Sequence, residues 1–146
     1  MIDKLNGRTQ EAAAIFAADR FATEAAGIRV EEAGENYARC AMKIEPRHLN
    51  ANGMVMGGAV FTLADFTFAV ATNMEKDYMT VSVSSNIQFL RTASAGTLYG
   101  ESSVLRMGRT SCVVEINVTD DTGRLIAKTT MNGLRTKKPE TGAKQE

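Results

Sequence analysis

The sequence predicts an α+β domain in which an antiparallel sheet curls around one long buried helix. Three observations carry that prediction. The stretch Met56 to Met74 (MGGAVFTLADFTFAVATNM) is apolar for about four to five helical turns, and Asp65 is its only charge. A helix that is apolar on nearly every side is a buried helix. Period-two alternation punctuated by turn residues follows it to near the C-terminus. Finally, 146 residues without internal repeats are the size of a single domain with one core.

Taken in order, residues Arg8 to Ala26 (RTQEAAAIFAADRFATEAA) read as an amphipathic helix, rich in alanine and stopped by Gly27. Its apolar positions Ala12, Ile15, Phe16 and Ala22 are expected to lie on the body below. From Ile28 to Ile44 the period changes to two. Ala38, Cys40, Met42 and Ile44 alternate with Tyr37, Arg39, Ala41 and Lys43, and Gly34 marks a turn, so the segment is a hairpin with one apolar face. Pro46 ends it and opens a shaped loop, Pro46 to Val55, with Asn50, Asn52 and Gly53 as turn formers.

The central helix follows, then a polar turn at Glu75-Lys76-Asp77. Val81, Val83, Ile87 and Phe89 alternate with Ser82, Ser84, Asn86 and Gln88 in the next strand. Gly96 to Met107 and Thr110 to Thr119 flank a tight Gly108-Arg109 turn, with Cys112, Val114, Ile116 and Val118 facing one way. Asp120-Asp121-Thr122-Gly123 is a strong hairpin turn. Arg124 to Thr136 closes the sheet as the last strand of a meander. One domain is expected over residues 1–136, with helix 8–26 part of it and residues 137–146 a disordered tail.

Composition narrows the function classes. Seventeen basic residues balance seventeen acidic ones, which argues against non-specific nucleic-acid binding and against a membrane-surface protein. Asp65 in mid-span, with no flanking basic cluster or aromatic belt, argues against a transmembrane helix. The two cysteines, Cys40 and Cys112, sit in alternating apolar patterns and read as buried free thiols. A single histidine, His48, leaves no His-based metal site within one chain, so no metal is expected. The N-terminus shows no leader pattern, and a cytoplasmic location is expected.

Two features of the central helix bear on chemistry. Gly57-Gly58 stands at its N-terminus, where first-turn amides lack intrahelical partners and the helix dipole is positive. Glycine there lets a ligand approach the backbone, although close helix–sheet packing alone would also call for it. Asp65 shares a narrow polar sector with Thr62, Ala69 and Thr72. It reads either as a functional carboxylate, as a structural one paired from afar, or as an interface specificity device. Eight residues separate Asp65 from Gly57, ~12 Å along the helix, too far for one reacting carbonyl to touch both. In a two-fold dimer with antiparallel helices side by side, Asp65 of one chain would face Gly57 of the other.

The segment HLNANGMVMGGAVFTLADFTFAVATN resembles the signature of hotdog-fold thioesterases of the PaaI-like branch. That signature runs Asn, Gly, His-Gly-Gly, then Asp near mid-helix, and the likeness extends from about Gly34 to Thr136. It implies a helix wrapped by an antiparallel sheet, dimers often paired into homotetramers, and hydrolysis of acyl-coenzyme A thioesters. Coenzyme A would enter as part of the substrate, with no separate cofactor. The resemblance assigns Asn50 to placing the thioester or water, the Gly57 amide to polarising the carbonyl, and Asp65 to acting as base or nucleophile. Ser82 matches a hydroxyl that assists the attacking water, and could equally be an ordinary sheet residue.

Met56 stands where the family has histidine, and methionine cannot donate a hydrogen bond to a carbonyl. With Gly58 it is expected to contact substrate, while Arg91, Arg106 and Arg109 at strand ends are candidates for the phosphates of coenzyme A, Arg109 foremost. The reading is an acyl-CoA thioesterase acting as a homodimer or homotetramer, with no nucleic-acid or membrane partner. The alternative is a non-catalytic acyl-CoA or acyl-lipid binder on the same fold. A hydratase is disfavoured by the lack of an acid–His pair in the helix region, and a ligand-sensing regulator by the absence of a DNA-binding segment.

Overall fold

The computed structural model describes residues 2–75 and 77–140, with backbone only for residues 2–6; Met1, Lys76 and residues 141–146 lie outside the described set. The elements run α1 (Ile2–Phe16), a π-turn (Phe21–Ala25), β1 (Ile28–Gly34), β2 (Tyr37–Lys43), a 3-10 turn (Pro46–His48), α2 (Gly57–Thr72), β3 (Tyr78–Phe89), β4 (Thr97–Met107), β5 (Ser111–Thr119) and β6 (Leu125–Lys137). The six strands form one antiparallel sheet in the order β1-β2-β4-β5-β6-β3. The α+β expectation of a sheet wrapped on a single long helix holds: α2 is 16 residues long and touches all six strands.

The alternation in β5 comes out as read. Cys112, Val114, Ile116 and Val118 are all buried, and so are Ala38, Cys40 and Met42 on β2. These side chains meet Leu63, Phe66, Phe68 and Val70 of α2 in one core. Two glycines let the helix lie close to the sheet. A Cβ on Gly100 of β4 would run into Thr67 Oγ1 at 2.6 Å, and one on Gly133 of β6 would lie within 2.9 Å of Cys112 Sγ, Thr80 Cγ2 and Phe68 Cζ. Both cysteines are free and buried, and burial pushes the Cys40 thiol up to about 12, so it stays protonated and inert.

Four expectations need correction. The helix read over Arg8–Ala26 begins at Ile2 and breaks at Ala17–Asp19, resuming as a separate π-turn that Gly27 (φ 69°) stops. Ala12 and Ala22 are buried as expected and Phe16 meets Phe66 edge-to-face at 6.1 Å, but Ile15 points to solvent. The strands after α2 are not a simple meander. β4, β5 and β6 are consecutive neighbours, whereas β3 pairs with β6 and forms the edge. Lastly, β6 runs through Lys137, which pairs with Tyr78, and the Lys138 amide donates to Asp77 O at 2.8 Å. The chain is therefore tied down past residue 137; the remainder of the expected tail, 141–146, lies outside the described residues.

The two sheet edges differ. On β1 the Ala33 amide donates to Thr9 Oγ1 of α1 at 3.2 Å, so the helix covers that side. On β3 the amide and carbonyl of Thr80 are both bonded to the Asn73 carboxamide at the end of α2. Beyond Thr80 no strand pairs with the outer edge among the described residues, and Val81 and Val83 stand exposed there.

Candidate active site

The start of α2 is fixed from both flanks. The Val55 amide donates to Ala93 O at 2.8 Å, and the Met56 amide to His48 O at 2.8 Å. Met56 is the extended N-cap, and its carbonyl accepts the amides of Ala59 and Val60. The amides of Gly57 and Gly58 have no acceptor among the described residues, as expected of first-turn donors. The two glycines differ in the space around them. A Cβ on Gly57 would sit 3.1 Å from the Phe89 ring, a tight contact that the ring could relieve only by shifting. At Gly58 the nearest atom would be Met56 Cε at 3.9 Å, an ordinary contact.

His48 works inside the fold. It is buried, its Nδ1 accepts the Glu45 amide at 2.9 Å, and Nε2 donates to Ala26 O at 2.7 Å. Both ring nitrogens are thus engaged, with the proton on Nε2 inferred from these partners. Asn50 is exposed and organises its own loop. Its Oδ1 accepts the amides of Asn52 (2.9 Å) and Met54 (3.2 Å), while its backbone N–H donates to Met54 O at 2.7 Å. Only the NH2 of that side chain is left for a ligand.

Asp65 is not in the core. The helix is covered by the sheet below and by Phe16 and the π-turn on one flank, which leaves a stripe of Gly58, Thr62, Asp65 and Ala69 facing outward. Thr72, placed in the same polar sector by the sequence, is buried and donates to Phe68 O. The Asp65 carboxylate has no hydrogen-bond or ion-pair partner among the described residues, which removes the reading of a structural Asp paired from afar. Its pKa is raised from the ordinary carboxylate value, mainly because surrounding protein displaces water and secondarily because Asp19 adds negative charge.

Within one chain the other candidates do not converge. Gly57, Gly58 and Met56 are together at the helix start, and Asp65 is ~12 Å further along. Ser82 is exposed on β3 opposite Gly133, beside a bulge at Val83. Arg109 lies at the β4–β5 turn, next to Gly108, whose carbonyl accepts Arg135 Nη1; Arg135 in turn binds Glu75, just past the far end of α2. The arginine that does share a cavity with Gly57 is Arg91, beside Phe89 and Ile126, in a space of about 270 Å³.

A second cavity of about 460 Å³ opens on the other side of the helix start. Phe21 and Ala25 of the π-turn, together with Met56, Gly58 and Ala59, form much of its wall. Sequence reasoning missed Phe21 and Ala25 because no glycine or proline signals the break at Ala17–Asp19. The one available sign was that Phe21 lies off the apolar face defined by Ala12, Phe16 and Ala22.

Comparisons with known proteins agree with this architecture. The family model for the Thioesterase superfamily matches residues 52–127. The acyl-coenzyme A thioesterase PaaI of Escherichia coli is 31% identical over 119 residues, 81% of this chain and 84% of that protein. Human acyl-coenzyme A thioesterase 13 is 33% identical over 104 residues, 69% of this chain and 74% of that protein. The structure of the E. coli PaaI protein superposes with a TM-score of 0.81 at 26% identity, covering 90% of this chain and 96% of that one. The span matched by the family model holds α2 with its glycines and Asp65 and the strands β3, β4 and β5, and this chain belongs to the thioesterase superfamily as a PaaI-like, hotdog-fold member.

Proposed function

We propose that the protein hydrolyses acyl-coenzyme A thioesters to free acid and coenzyme A at a site shared between two copies of the chain. The observation that carries this is the pairing of two acceptor-free amides, Gly57 and Gly58, with an unpartnered carboxylate, Asp65, ~12 Å away on the same rigid helix. One copy supplies only half a site, and a two-fold partner with its helix antiparallel supplies the other half. The open outer edge of β3, with exposed Val81 and Val83, is the surface that would join the copies, because an unpaired apolar edge in a stable protein is ordinarily covered. Pairing of dimers into a tetramer is a further part of the reading.

In this site the thioester oxygen accepts a hydrogen bond from the Gly57 amide, which holds the charge that develops on it. Donors of that kind contribute roughly 10²–10³ in rate. Asp65 of the second copy takes a proton from water as the water oxygen bonds to the carbonyl carbon. The tetrahedral adduct then collapses with cleavage of the carbon–sulfur bond, and the proton goes to the coenzyme A thiolate. Alternatively Asp65 attacks first, expelling the thiolate, and water cleaves the resulting mixed anhydride. In this reading the NH2 group of Asn50 and the Ser82 hydroxyl serve as aids to orientation. Arg91, which shares a cavity with Gly57, replaces Arg109 as the candidate for the phosphates of coenzyme A.

The test is thiol release from short, medium, long and aromatic acyl-CoAs, run beside sedimentation. Turnover by an oligomer is expected. Background rates throughout, with acyl-CoA still bound, would transfer the assignment to the non-catalytic binder, for which Met56 in place of a donor side chain is the argument. A fully active monomer would overturn the shared site.

A further inference from the structure

We infer that the cavity between the π-turn and the start of α2 receives the acyl group, and that Phe21 sets which acyl groups fit. This rests on the thioesterase reading above and adds the substrate class, an uncharged aliphatic acyl chain of medium length. The π-turn lies outside residues 52–127, so the family match says nothing about it.

The wall is held in place by groups whose polarity is already spent. Ala22 and Ala26 bury the underside of the turn at 3% and 8% exposure. At its C-terminal end the orphan carbonyls are met from the loop before α2: Arg47 Nη1 donates to Glu24 O at 3.1 Å, and His48 Nε2 to Ala26 O at 2.7 Å. Arg47 is also neutralised by Glu45 at 2.8 Å. A Cβ at Gly27 would collide with the Arg47 guanidinium, so the strap across the turn is close-fitting. A π-turn braced in this way is a common mark of a functional segment.

What the braced wall presents is apolar. Phe21 is 69% exposed and Met56 59% exposed, both on the cavity, with Ala25 and Ala59 between them. His48 and Arg47 also line the space, but both ring nitrogens of His48 are engaged and the part-exposed Arg47 guanidinium is paired with Glu45 and bonded to Glu24 O, so the wall offers no unpaired charge to a ligand. At about 460 Å³ it has the size of a small-molecule site and is too small for a protein segment with its own fold. Gly58, with its acceptor-free amide, lies on the cavity floor one residue from Gly57. A thioester held at the helix start therefore has the apolar cavity on one side and the Arg91 cavity on the other. The hydrocarbon belongs in the first and the phosphate-bearing arm on the side of the cation.

The experiment compares kcat/KM for acetyl-, hexanoyl- and decanoyl-CoA in the parent, Phe21→Ala and Ala25→Trp, with calorimetric binding of decanoyl-CoA against coenzyme A alone. In the parent, each methylene that enters the cavity is expected to raise kcat/KM or binding about fourfold until the space is full. Phe21→Ala should lower the decanoyl-to-acetyl ratio about tenfold through lost apolar contact, and Ala25→Trp should lower it by filling the space. Both positions are exposed, so folding is retained. Hydrolysis with ratios identical in all three proteins would overturn the acyl-site assignment and leave the thioesterase reading standing. Absence of hydrolysis in the parent would overturn the thioesterase reading, and the calorimetry would then decide the site. Decanoyl-CoA bound no more tightly than coenzyme A would overturn it, and a preference lost in Phe21→Ala would support it.

Discussion

Replacing Asp65 with asparagine separates a working carboxylate from a structural one, because the two roles predict opposite outcomes. The side chain is exposed and makes no hydrogen bond or ion pair among the described residues. Asparagine is nearly isosteric, so its effect on packing should stay within about 0.5 kcal/mol. The electrostatic part has a definite sign. The folded-state pKa of Asp65 is raised by loss of surrounding water and by Asp19. Folding therefore favours the protonated form, and the parent loses stability as pH rises from the ordinary carboxylate value through the raised one. Asparagine does not ionise, so above that window Asp65→Asn should melt at or above the parent temperature, and below it the two should coincide. Turnover should fall by roughly 10²–10⁴, the usual contribution of a positioned base, and the acid limb of the parent's kcat/KM profile should disappear from the residual activity. Single-turnover thiol release and thermal melts across pH measure both effects. Hydrolysis at the parent rate, or a clear drop in melting temperature at neutral pH, would refute the reasoning.

Other variants test the framework. Gly133→Ala inserts a methyl among Cys112, Thr80 and Phe68, all within 2.9 Å; overpacking should cost about 1–3 kcal/mol in urea unfolding, and a neutral result would mean the helix–sheet distance is not set there. His48→Ala leaves the Ala26 carbonyl and the Glu45 amide without their partners, and should cost about 2–3 kcal/mol in the same assay. Met56→His places an imidazole at the N-cap of α2. Because Met56 is 59% exposed, the ring can reach water and the stability change should be small, while preference for long acyl chains should weaken through lost apolar contact. A uniform rise in kcat/KM across all chain lengths would instead show that Met56 is a handicap rather than part of the acyl wall.

The sequence by itself determined what depends on near neighbours. The apolar run Met56–Met74 marks α2 to within about two residues, because a helix's hydrophobic pattern repeats within a few residues of chain. The alternation of Cys112, Val114, Ile116 and Val118, and the Asp120–Gly123 turn closed by Gly123 at φ 80°, are local in the same sense. The motif from Asn50 to Asp65 was legible too, and with it the family. Tertiary structure alone decided the rest. That β3 lies beyond β6 depends on pairing between residues some fifty positions apart, such as Val81 with Leu134, and nothing in either strand's own pattern encodes that partner. Whether Asp65 is buried depends on what covers each face of α2, and the answer is that the sheet and the π-turn leave its stripe open. The break at Ala17–Asp19 is invisible to propensity because alanine favours helix. The chain turns there because Ala22 and Ala26 find the core, and Arg47 and His48 find the carbonyls of Glu24 and Ala26, only when the segment bends.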